Sequence, residues 1–168
     1  MTVANPAPAR HLDTATRPDG NATDVRYLEE ASAALLPIMA ACDAAAGRSV
    51  RRDVRALARG ALSVQTQQLA AISEVLRAWG RTDVVRPRTT DADALVGLHG
   101  GVLDRVFLER LTAHAHASIT GARAEMVAGV SRSARPIAER AIHAQDRQVA
   151  ALARLVRTTP TASEADMV

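Results

Sequence analysis

Aromatic side chains are almost missing from this sequence, which has one Trp, one Tyr and one Phe in 168 residues. So few bulky rings argue against a sheet sandwich or barrel, whereas abundant Ala suits closely spaced helices. Lysine is absent altogether, so all 21 basic residues are Arg. These arginines are interspersed with Asp and Glu, the net charge is only +3, and no basic block marks a nucleic-acid-binding face. A single cysteine, Cys42, excludes an intramolecular disulfide and a Cys-based zinc cluster, and fits a reducing compartment. The start of the chain has no apolar core of the kind a signal peptide needs. The longest apolar run, Ala31 to Cys42, contains Ser32 and Pro37 and is too short to span a bilayer. The expectation is one soluble, cytoplasmic domain that engages neither nucleic acid nor membrane.

What is present is an internal repeat. Shifting the sequence by 80 positions lays Asp24 on Asp104, Tyr27 on Phe107, Leu28 on Leu108 and Glu29 on Glu109. The register holds without a gap: Arg52 meets Arg132, Arg55 meets Arg135, and Ala58, Ala61, Gln65 and Gln68 meet identical residues from Ala138 onward. A supersecondary unit has been doubled.

Apolar spacing within each copy predicts two helices. Helix 1 is expected from Thr23 or Asp24, as cap, to about Ala46, with the inward stripe Tyr27, Ala31, Ala34, Ile38 and Cys42. Leu28, Leu35 and Met39 lie beside it, and Pro37 should kink the helix. Helix 2 is expected from Val50 to Trp79 with the stripe Leu62, Gln65, Leu69, Ile72, Leu76 and Trp79, ended by Gly80. A short helix over Asp91 to His99 is expected to break at Gly100 and Gly101. Helix 3, Val102 to Val130, carries Leu103, Phe107, Leu111, His114, Ser118, Ala122 and Met126. Helix 4 opens near Ser133, tolerates Pro136 in its first turn, and runs to Arg157 with Ile142, Gln145, Val149, Leu152 and Val156 inward. The fold expected is all-α: an antiparallel four-helix bundle of two duplicated hairpins, residues 23–80 and 102–158, joined by a linker over 81–101. Residues 1–22, with His11, read as a flexible arm and 159–168 as a flexible tail. Asp24 with Arg77 and Asp104 with Arg157 are expected to pair across each hairpin's open end.

Counting outward from the hairpin tips sets Ala34 level with Gln65, and His114 level with Gln145. Gln65, Gln145 and His114 therefore converge on one mid-bundle layer, with Gln68 and Gln148 a turn away. Buried amides and imidazoles cost a few kcal/mol unless hydrogen-bonded, so the layer must satisfy itself, hold water or hold a ligand. A self-satisfied layer would fix helix register; the alternative is a remnant metal or small-ligand site. His116 and His143 fall on outward faces, because two residues along a helix turn the side chain through about 200°. His99 belongs near an end of the bundle. No carboxylate lies on the stripes at the height of the layer, and Glu139 with His143 is one residue too long for the Glu-x-x-His spacing of di-iron bundles. Cys42 and Met39 are soft donors one turn apart, a spacing suited to copper(I), although such residues on an inner face also serve as plain core. They lie roughly 12 Å from the His114 layer at 1.5 Å per residue, so the two are expected to be separate. Cys42 has no His beside it and no Ser sits next to a base, which gives nucleophilic catalysis no support.

The residues Asp104, Phe107, Leu108, Leu111, His114, Ile137, Ala138, Gln145, Gln148 and Val149 resemble the pattern of the domain of unknown function 305 family. A weaker copy runs through Asp24, Tyr27, Leu28, Leu57, Ala58, Gln65, Gln68 and Leu69. The resemblance implies a ferritin-like four-helix bundle built of two hairpins, in a family some of whose members are linked to copper or other metal handling. Those members typically carry a His-His pair and a Glu. Here Ala115 follows His114, Ala34 and Leu35 hold the first-half positions, and Gln68 and Gln148 replace the glutamates.

The reading that follows is a non-catalytic helical bundle with a vestigial interior site, acting through its surface on a protein partner or on itself. The alternative is a copper-type metal-binding protein using His114, with Cys42 and Met39 as further donors. A ferritin-like enzyme ranks last, because the carboxylates are missing.

Overall fold

The computed structural model describes residues 19–81 and 95–157. Among them the chain forms four helices: α1 (Ala22–Arg48), α2 (Arg52–Ala78), α3 (Gly100–Ala128) and α4 (Ala134–Arg157). None is long and apolar enough to cross a membrane. The arm before Asp19, the tail after Arg157 and most of the linker fall outside the described residues.

Each boundary has a local cause. α1 is capped by Asn21, one turn earlier than Thr23 or Asp24 would place it. The Asn21 side chain accepts from Thr23 N and Asp24 N, and Asp24 Oδ2 accepts from Asn21 N at 2.6 Å, a reciprocal capping box. α2 ends where Gly80 takes φ 73, with Arg81 N bonded to Leu76 O and Gly80 N to Arg77 O. This Schellman closure satisfies two terminal carbonyls. Ser131 Oγ caps α4, accepting from Ser133 N and Ala134 N at 3.0 Å each. Pro136 then sits in the first turn, where its missing N–H is harmless. Pro37 stands inside α1, which continues to Arg48. The expected short pre-helix begins outside the described residues; Leu95–Leu98 is a turn, and Gly100 and Gly101 start α3 instead of interrupting it.

The buried face of α3 runs Asp104, Leu108, Leu111, Ala115, Ala122 and Glu125, with half-buried Ser118 completing alternate steps of four and three. In α1 the same phase gives Asp24, Leu28, Ala31, Leu35, Ile38, Cys42 and Ala45, all buried except half-buried Ala31. This is heptad spacing, which keeps one seam facing a neighbouring helix over about six turns. The expected stripes lie about one position away, so Ala34 is exposed and Met39, His114 and Met126 are only half-buried. Leu62, Leu69, Ile142 and Val149 are likewise half-buried, while Ala58, Ala61, Ala138 and Ala141 carry the inner faces of α2 and α4. Small residues win those positions because the helices approach closely.

The apolar core falls into two clusters. One gathers Cys42, Val54, Ala58, Leu103, Phe107, Leu111 and Leu152. The other gathers Tyr27, Leu28, Leu35, Ile72, Leu76, Trp79, Ala122 and Ile137. Side chains such as Phe107 and Leu28, at 0% exposure, each contribute roughly 1.5–3 kcal/mol by burial.

Two aspartates tie one hairpin to the other. Asp24 accepts from Val130 N at 3.1 Å and Ser131 N at 2.9 Å, in the α3–α4 loop. Asp104 accepts from Arg51 N at 3.3 Å, in the α1–α2 loop. The two donors Arg51 and Ser131 are 80 positions apart, as are the two acceptors, so each hairpin clasps the loop of the other in the same way. Arg55 and Arg135 repeat the correspondence, donating to Ser49 O and Gly129 O at 2.7 Å. These contacts put the start of α1 beside the end of α3, while Arg51 Nη1, bonded to Leu155 O, puts the start of α2 beside the end of α4. Packed neighbours thus run in opposite directions.

The expected ion pair of Asp24 with Arg77 does not form. Arg77 is exposed, and a fully buried carboxylate is better served by backbone donors than by a long side chain in water. Asp104 likewise turns to the loop amide, and the Arg157 side chain is outside what is described. The ion pairs among the described residues are Arg51 with Asp53 and Arg81 with Glu29, the latter joining the end of α2 to α1.

Candidate functional site

A layer of buried glutamines lies at mid-bundle, between the two clusters of the core. In α2, Gln65 lies between Ala61 of one cluster and Ile72 of the other; in α4, Gln145 and Gln148 lie between Ala141 and Leu152. Gln65 and Gln145 are at 0% exposure and Gln148 at 9%, while Gln68 is half-buried. The layer does not satisfy itself. Gln65 Nε2, both amide atoms of Gln145 and Gln148 Nε2 are buried with no protein partner.

Gln65 does reach one partner, and an unforeseen one. Cys42 Sγ donates to Gln65 Oε1 at 3.5 Å. Side chains lean toward the start of their own helix, so in an antiparallel pair these two lean toward each other along the axis. Cys42 is therefore attached to the layer, which corrects the expectation that the two were separate. Burial pushes its thiol up to about 12, so at neutral pH the sulfur is a protonated donor. Met39 is half-buried against the other core cluster. Among the described residues no three His, Cys, Asp or Glu side chains converge as a metal site.

His114 shares the layer's height, following Leu111 of one cluster and preceding Ala122 of the other. It is half-buried and sits on the α1–α3 seam, not on the bundle axis. Its Nε2 is buried without a partner, so it bonds neither Gln65 nor Gln145 through that atom. Desolvation lowers its pKa to about 4, and the ring is neutral at pH 7, with one nitrogen lone pair available to a donor or a metal. Beside it is a cavity of about 220 Å³ lined by Tyr27, Ala31, Leu35, Gln68, His114 and Gly121, among others. Tyr27 contributes a hydroxyl that is also buried and unpartnered. On its other side His114 borders a more open cleft with Pro37, Ile38 and Arg110. His116 and His143 are exposed, as their helical phase requires, and so is His99, the residue just before α3. His143 lines a groove of about 400 Å³ between α2 and α4 with Arg140 and Arg147.

Three buried carboxylates lie off the expected stripes: Asp24, Asp104 and Glu125, all at 0% exposure. Asp24 is held below the usual range; burial acts to raise it, and the Glu125 side chain with the Asn21, Ser131 and Val130 amides outweighs that effect. Glu125 is pushed up to about 7 by burial and by Asp24. As an anion its two oxygens find no donor; as an acid it donates to Asp24. The signal for these groups was present in the heptad phase, since positions 104, 108, 111, 115, 118, 122 and 125 step by four and three.

No protein-family model matches the sequence, and no curated protein matches it. Among solved structures, the fold is similar to the crystal structure of a DUF305 fragment from Deinococcus radiodurans, with a TM-score of 0.69 over 82% of this chain and 97% of that one. At 15% sequence identity the likeness is one of fold, and it agrees with the all-α helical bundle.

Proposed function

We propose that this chain is a non-catalytic binding bundle that holds a small ligand in the cavity between α1 and α3, with His114 as the anchoring group. The observation that carries this reading is the buried, unpartnered Nε2 of a neutral imidazole at the wall of a cavity of about 220 Å³. A mostly apolar cavity of that size with a few polar atoms in its wall suits ordered water or a small molecule that supplies the missing bonds. Cys42 supports the non-catalytic side of the reading, because its thiol is held protonated and directed at Gln65, with no base to activate it. The same free, buried thiol suits a cytoplasmic setting. Outer faces remain available for a protein partner or a second copy.

The second reading is metal binding of the copper type through the same His114 nitrogen, favoured by the uncharged ring. Cys42 and Met39 would join only after Cys42 left Gln65. Metal analysis and native mass spectrometry on protein purified without a His tag separate the two, with His114→Ala as control. A bound non-metal mass that disappears in the variant supports the first reading. Stoichiometric metal that disappears in the variant replaces it with the second, and protein carrying nothing in either form sinks both.

A further inference from the structure

The two ends of this doubled bundle are not alike. Asp24 and Asp104 each receive the loop of the opposite hairpin, but only Asp24 has a second buried carboxyl beside it. Glu125 corresponds to Ala45 in the first half, which offers Asp104 no carboxyl. Gly129, which follows Glu125 by one turn, corresponds to Ser49, and a Cβ built on Gly129 would stand 2.2 Å from Glu125 Oε1. The glycine is what leaves room for the glutamate.

We propose that Asp24 and Glu125 form a proton-operated latch between the hairpins, closed when the two carboxyls share one proton and loosened when that proton leaves. In the closed state the Glu125 carboxylic acid donates to the Asp24 carboxylate, which in turn accepts the Val130 and Ser131 amides. When the proton leaves to solvent, two anions face each other in a buried joint, and the joint separates to admit water. The groups acting on Glu125 are Asp24 from α1 and Arg135 from α4, and Glu125 in turn acts on the buried Tyr27 hydroxyl of α1. Arg135 is engaged with Gly129 O at 2.7 Å, and the part of α2 in this cluster, Ile72, Leu76 and Trp79, supplies no charge.

The sign follows from the direction of the shift. Glu125 is raised from 4.5 to about 7 in the fold, so its contribution is complete below about pH 4.5 and is lost as pH rises through 7. Asp24 is lowered from 3.8 and acts in the opposite sense, being lost only in stronger acid. Between pH 5.5 and 8 the latch therefore opens with rising pH.

Amide hydrogen exchange on the full-length protein contains its own control. Protection factors at Val130 and Ser131 should fall by roughly tenfold or more between pH 5.5 and 8, while that of Arg51, at the end where Ala45 stands in place of the second buried acid, should not. Glu125→Gln keeps a donor for Asp24 and should remove the drop. Equal pH dependence at the two ends, or a drop that persists in Glu125→Gln, overturns the latch. Should that variant not fold, carboxyl carbon NMR of the unaltered protein decides, since a Glu125 that titrates near 4.5 is incompatible with it. No ligand enters this test, so its outcome is independent of what the His114 cavity holds.

Discussion

Asp24 and Asp104 occupy the same place in the repeat yet hold different numbers of bonds. Asp24 accepts from Asn21, Val130 and Ser131, and Asp104 from Arg51 alone, leaving its Oδ1 without a partner. Removing a buried acceptor strands its donors at about 1–3 kcal/mol apiece. Asp24→Ala should therefore destabilise the protein by about 3 kcal/mol or more and Asp104→Ala by about half as much. Urea denaturation of both variants checks the order, and an equal loss would show that the extra amides carry no weight. The positions of Gln65, Gln145 and Gln148 inside the bundle were legible in the sequence from the repeat and the hairpin count. The partners of Asp24 were not, because they lie 106 and 107 residues away on a loop, and a rule that sends charged residues outward assigns such an aspartate to the surface.

At the scale of elements, the helices were readable because Ala-rich amphipathic runs are bounded by caps and glycines. Their rotation was less so. The stripe on α3 drawn through His114 and Met126 differs from the packed face, whose heptad steps include Asp104 and Glu125. The α3–α4 corner tests how tightly these steps are built. Gly129→Ala should cost about 1–3 kcal/mol, since the new methyl meets Glu125 and a packed interior resists the added volume. Combining Glu125→Ala with Gly129→Ser recreates the Ala45 and Ser49 pair of the other corner. That double variant should be more stable than the sum of its single changes by about 1 kcal/mol or more, measured by thermal denaturation at pH 7. Additive effects would mean that the two positions do not share space.

For the whole molecule, two core clusters separated by a polar layer suggest two units that melt separately, but each of the four helices runs through both clusters. Neither cluster therefore comes apart without fraying helices that the other one needs. The single Trp79 belongs to one cluster and reports on it, whereas far-ultraviolet circular dichroism reports on all four helices. The two probes should give one coincident unfolding curve. Separate midpoints would show that the glutamine layer uncouples the ends. The all-α architecture followed from composition and the repeat, while the joint between its halves had to be seen in three dimensions.

The repeated clasp has a further consequence. Because Asp24 grips a loop that is not its own, and Asp104 does the same, a hairpin supplied by another molecule would present the identical amide to the identical carboxylate. At high concentration two chains can trade halves into an intertwined pair that keeps every bond described above and adds no new surface.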